Sequence, residues 1–159
     1  MVSSPVTVSI VANPGTSVEP LPADLAERYG LPPFDRIEPL GGGHHNMLLR
    51  AGDVVIRIED RSPESVAWEH ELVGFLAAAI PEVLAPLAAL DGSTYLVHDG
   101  RVLSLLPLVE GVHDGVFPPE LLARIHRRGL EWPTSEHRPD RPSYRDLDWE
   151  RNDWAILRS

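Results

Sequence analysis

The run Val54-Val55-Ile56-Arg57-Ile58 sets the strongest limit on how this chain folds. It is β-branched and nearly continuous in apolar character, which favours an extended strand. A strand that is apolar on both of its alternating faces is expected at the centre of a sheet, covered on both sides. Arg57 is its only charged member.

The neighbouring sequence supplies partners for that strand. Residues 34–40 and 47–50 read as two strands before it, and Ala51-Gly52-Asp53 makes the turn into it. Ser62-Pro63-Glu64 opens a helix, with Ser as N-cap, Pro at the first helical position and an acid next. Val66, Glu69/His70, Val73, Ala77 and Ile80 share one face of that helix, which ends near Ile80-Pro81. Strands are then expected over 83–90, 94–98 and 101–106, separated by the hairpin signals Asp91-Gly92 and Asp99-Gly100. The order β-β-β-α-β-β-β predicts an α+β fold, with an antiparallel sheet of five to six strands and one packed helix. Shorter helices are expected over 22–30 and 121–127. Residues 1–20 read as weakly ordered, and 129–142 as a Pro-rich linker. Ser143 with Asp146 resembles a capping box, opening a further helix over 144–158 with Leu147, Trp154 and Leu157 on one face.

Between the first two strands stands Leu40-Gly41-Gly42-Gly43-His44-His45-Asn46. Glycine permits positive φ and close approach of a ligand to the backbone. Such a turn can point several N–H groups at a phosphate. It is equally the sequence of a flexible hairpin loop. The adjacent histidines are a poor metal site, because neighbours in a strand point to opposite faces and no third ligand lies at useful spacing. His70-Glu71-Leu72-Val73-Gly74 begins like H-E-x-x-H but has Gly where the second His must stand, so a metalloprotease is excluded.

Composition narrows the function classes. The formal net charge is −10, which argues against nonspecific nucleic-acid binding. All 14 basic residues are Arg, so any site needing a lysine must use something else. No apolar run is long enough for a membrane span, and no secretory leader is apparent. Cys is absent, which excludes disulfides. A cytoplasmic protein is the expectation.

Glycine loop, strand with one cation, helix with an acid, then strands leading to a connecting segment: this order resembles the small lobe of a kinase-like fold. The match is nearest to the aminoglycoside phosphotransferase family. The residues that carry it are Leu40 to Asn46, Val54-Val55-Ile56-Arg57-Ile58, Trp68-Glu69-His70-Glu71-Leu72, Leu105-Leu106-Pro107-Leu108-Val109-Glu110-Gly111 and Leu122-Ala123-Arg124-Ile125-His126. The resemblance implies three regions: an extension over 1–33, a nucleotide-binding small lobe over 34–111, and the opening of a large lobe over 112–159. It implies ATP as cofactor. Backbone around Gly41, Gly42, Gly43 and His44 would cover the phosphates, with Asn46 shaping the turn. Arg57 would be the phosphate-binding cation, able to hold two oxygens at once. Glu71 would pair with Arg57, and the backbone of Pro107, Leu108 and Val109 would meet adenine. The alternative is a plain strand–helix ion pair and an ordinary strand exit. His126 reads as a packing residue.

The family's catalytic loop resembles H-G-D-x-x-x-x-N, and no H-G-D occurs in these 159 residues. Tyr144-Arg145-Asp146-Leu147-Asp148-Trp149-Glu150-Arg151-Asn152 imitates a kinase loop, but Tyr replaces His and Asn152 comes one residue late. The expectation is therefore a truncated or split phosphotransferase, inactive alone, with Mg²⁺ required only by a complete enzyme. Its acceptor would be a small hydroxyl-bearing compound, compatible with a cation. The competing expectation is a non-enzymatic module that binds nucleotide or a protein partner. Trp132, Trp149 and Trp154 are expected to lack packing partners and to favour self-association.

Overall fold

A computed structural model describes residues 21–40, 46–109, 111 and 118–133. Strand β1 (Ile37–Leu40), β2 (Met47–Ala51) and β3 (Val54–Glu59) precede the long helix α2 (Pro63–Ala77), and β4 (Leu96–His98) and β5 (Arg101–Pro107) follow it. Helices α1 (Leu25–Arg28) and α3 (Pro119–Gly129) flank this unit. The strands form one antiparallel sheet in the order β1-β2-β3-β5-β4, so the described residues are α+β with five strands. The Val54 run is the middle strand, as its composition predicts.

Register explains the sheet's two faces. Ile56 lies opposite Leu49 on one side and Leu105 on the other, and Ile58 opposite Met47 and Leu103. Because side chains alternate, these residues share a face with Ile37, Ala51 and Val54. Together with Leu25 and Tyr29 from α1 they form the buried core, and Leu21, Leu31, Phe34, Leu87 and Ala89 pack around it. Residues 21–33, expected as an extension, thus supply one wall of the core. The other face of β3 carries Val55, Arg57 and Glu59, beside Ser104 and Val102 of β5. The expectation that β3 is buried on both faces holds fully for the first; on the second Glu59 is buried, while Val55 and Arg57 remain part-exposed.

Local chemistry accounts for the element ends. Ser62 accepts a hydrogen bond from the Ser65 amide (3.2 Å), with Pro63 at the first helical position, so α2 starts where its capping residues dictate. β4 and β5 meet through Asp99 (φ 49°) and Gly100 (φ 78°), the paired positive φ of a type I′ hairpin. Residues 83–90, expected as a strand, are irregular. Pro86, in its middle, has no amide hydrogen to lend a ladder. The segment is pinned instead by separate backbone bonds, among them the Leu87 amide to Leu105 O (2.8 Å), the Ala89 amide to Ser93 O (2.7 Å) and the Leu90 amide to Arg28 O (2.8 Å).

α3 and the turn after it meet the C-terminal part of α2 and the segment that follows it. Arg124 makes a two-pronged bond to Glu82 (2.7 and 3.1 Å). Trp132 packs edge-on against Phe75 (5.0 Å between centroids), and Arg128 lies over the same ring at 3.7 Å. Trp132 therefore has a partner within the chain, contrary to expectation. Trp149, Trp154 and the imitation loop around Asp146 lie outside the described residues. His126 is exposed, not packed, on a helix that buries none of its residues.

Candidate functional site

The charged face of the sheet holds a ring of four side chains. Arg57 sits at the middle of β3, facing Ser104 across the β3–β5 pair. Two residues on, Glu59 points to the same face, and Arg61 follows at the same spacing. Alternation along β3 puts Arg57 and Glu59 on one side, and the bend just past the strand end brings Arg61 to them. The fourth member, Glu69, comes from the second turn of α2.

The ring closes through short contacts. Arg57 Nη2 donates to Glu69 Oε1 at 2.9 Å and lies 2.6 Å from Glu59 Oε1. Arg61 Nε donates to Glu59 Oε2 at 2.6 Å, and Arg61 Nη1 to Glu69 Oε2 at 2.5 Å. Each carboxylate thus offers one oxygen to each arginine. The contact from Arg57 to Glu59 is close but lacks hydrogen-bond alignment, which leaves Glu59 Oε1 with charge attraction alone. The Glu59 side chain is wholly buried (0 % exposed), and that of Arg57 is 17 % exposed. Two positive and two negative charges sum to zero, the condition under which charged groups tolerate burial.

The electrostatics follow from this geometry. Burial acts to raise the Glu69 carboxyl, but hydrogen bonds from Arg61 and Arg57 outweigh it and hold the group below its ordinary value. Burial acts to lower the Arg61 guanidinium, and the bonds from Glu69 and Glu59 reverse this, so it stays protonated. The neighbouring His70 is buried and near Arg57. Burial first, and then the field of Arg57, push it down to about 4, so its imidazole is neutral. His70 Nδ1 lies 2.9 Å from Thr94 Oγ1, and its ring stands edge-on to Tyr95.

Several buried polar atoms on this side have no partner among the described residues: Arg57 Nε, Ser104 Oγ and His70 Nε2. Arg57 and Ser104 are direct neighbours on the sheet, so two of these atoms belong to one small region.

The expected site residues divide into three groups. Arg57 lies where the sequence places it. Its partner on α2 is Glu69, however, and not Glu71, which is exposed. A helix turns about 100° per residue, so positions 69 and 71 point roughly 200° apart. Ser65, Val66 and His70 are the buried side of α2, and Glu69 lies with them. Gly41, Gly42, Gly43 and His44 lie outside the described residues; Asn46 stands at the bend entering β2. Pro107 ends β5, and Leu108 donates its amide to Asp53 O (2.9 Å), which takes it out of use for a ligand. Val109 is 62 % exposed.

Glu59, Arg61 and Glu69 as a set were missed in sequence. The pair Arg57-x-Glu59 was a usable signal, since alternation places both charges on one side of the strand. Among the described residues no group of three or more His, Asp or Glu side chains is arranged to hold a metal ion. No described helix is long and apolar enough to cross a membrane.

Fold and site together define an α+β protein with a five-stranded antiparallel sheet and a strand–helix ion ring on its charged face. No family model matches the chain, and no curated protein matches it either.

Proposed function

We propose that the chain binds ATP on the charged face of its sheet, as the nucleotide-binding part of a kinase-like small-molecule phosphotransferase resembling the aminoglycoside phosphotransferases. The observation that carries this reading is Arg57: a cation on the central strand, ion-paired to the helix that follows it. The strand-strand-strand-helix-strand-strand order supports the same reading. A polyphosphate needs fixed cations and N–H donors to offset its own repulsion. Arg57 Nε is buried without a hydrogen-bond partner among the described residues, so the guanidinium is not fully used by its two carboxylates. Adenine would meet the chain beside β5, at Val109, because Pro107 lacks an amide hydrogen and Leu108 has spent its own.

Phosphoryl transfer is not assigned to these residues, since the sequence has no H-G-D-x-x-x-x-N. The acceptor alcohol, a cytoplasmic setting and self-association belong to the same proposal. A second reading, a non-enzymatic module in which Arg57 only clamps strand to helix, draws support from the two carboxylates already bound to it.

Thermal unfolding with and without ATP separates the two. ATP should raise Tm of the wild-type chain by a few degrees and leave Arg57→Ala unchanged. No shift in the wild type sinks nucleotide binding; equal shifts in both make Arg57 a clamp.

A further inference from the structure

The ring holds one residue that phosphate binding through Arg57 does not by itself call for. Glu59 and Glu69 both meet Arg57 through a single nitrogen, Nη2, at 2.6 and 2.9 Å. One guanidinium between two carboxylates is a locus of net charge −1, and such a locus repels polyphosphate. Arg61 reverses this. Its Nε and Nη2 lie 2.6 and 2.5 Å from Glu59 Oε2, and its Nη1 lies 2.5 Å from Glu69 Oε2. Both acids are thereby neutralised on the side away from Arg57.

We infer that Arg61 is a positioning and charge-compensating residue of the anion site at Arg57, an inference that rests on the nucleotide reading above. By satisfying Glu59 Oε2 and Glu69 Oε2, Arg61 keeps the surroundings of Arg57 neutral, and the rest of that guanidinium is left for a phosphate oxygen. The unpartnered atoms fall where this requires. Arg57 Nε and its sheet neighbour Ser104 Oγ are both buried without a hydrogen bond among the described residues. Buried polar groups are costly when left unmade, so a ring built only as a clamp gains nothing by orphaning them.

The test is isothermal titration of ATP into the wild-type chain, Arg61→Gln, Arg61→Lys and the double variant Arg61→Gln with Glu69→Gln. Arg61→Gln leaves net charge −1 beside Arg57 and should weaken ATP about tenfold, the order expected for one uncompensated charge at a part-buried site. Arg61→Lys restores the charge and should bind within about threefold of wild type. The double variant has fewer ring bonds than Arg61→Gln but is neutral again, and it too should recover to within about threefold. If Arg61 merely ties helix to strand, the double variant binds no better than the single one, and the proposal fails. Wild-type affinity in Arg61→Gln overturns it as well. Should Arg61→Gln not fold, a loss of tenfold or more in the double variant overturns it instead. A wild-type chain that does not bind ATP removes the nucleotide reading, and this inference with it, before any variant is needed.

Discussion

The two faces of the sheet are built from the same strands and held by opposite physics. On one, Ile37, Leu49, Ile56, Ile58, Leu103 and Leu105 bury against α1 and the segment around Leu87. That face is non-directional: its stability scales with apolar area removed from water, about 25 cal/mol per Å². On the other, Arg57, Glu59, Arg61 and Glu69 lie within hydrogen-bonding distance of one another, and each charge depends on a particular neighbour. The first face can lose a methyl group and relax. The second cannot lose one charge without stranding another. A surface of that kind is suited to specifying geometry, and the proposed anion site lies there and not over the core.

Substitutions test how far this contrast goes. Truncating the core face should cost most: Ile56→Ala, at a fully buried position, should lower unfolding free energy by about 4 kcal/mol in urea titration. On the charged face, Glu59→Gln leaves two arginines around one acid and should cost about 3 kcal/mol. Replacing Glu59 and Arg61 together by Met should cost clearly less than Glu59→Gln alone, because Arg57 and Glu69 remain as a matched pair. If the double variant is instead the sum of its parts, the four side chains do not act as a ring.

The pH dependence should report the same face. His70 has a folded-state value of about 4 against 6.5 ordinarily, so between these the unfolded chain takes up a proton that the folded chain refuses. Stability is thus fully present above about pH 6.5 and falls as pH drops toward 4, by about 3 kcal/mol in all. Glu69, held low by its arginines, adds a further loss below its ordinary value of 4.5. His70→Gln should flatten the upper part of that profile and leave the acid limb in place. The smallest effect belongs to the helix cap: Ser62→Ala should cost about 1 kcal/mol and leave both faces intact, and a larger loss would mean the cap also orients Glu69.

Much of the fold was legible in the sequence because it depends on short-range chemistry. The β-branched run fixed the middle strand, Ser62-Pro63 the start of α2, and Asp99-Gly100 the last hairpin. The strand expected over 83–90 was lost because apolar composition alone does not reveal whether amides can join a continuous ladder, and Pro86 in its middle has none to give. Trp132 was misjudged for a different reason. Its partner Phe75 lies 57 positions earlier, on another helix.

The site shows the same division. By itself the sequence determined that a lone arginine stands on the central strand, that an acid-bearing helix follows, and that no lysine can replace either. The tertiary structure decided which acid meets Arg57, and it chose the one that periodicity had already put on the helix face of Val66 and Val73. Glu69 and Glu71 are two residues apart in the chain but on opposite sides of α2, and the helix's rotation is set by burying Ser65, Val66 and His70. That burial is a tertiary property: His70 meets Thr94 and Tyr95, far along the chain. It turns Glu69 inward to share Arg57 and Arg61, and turns Glu71 out to water.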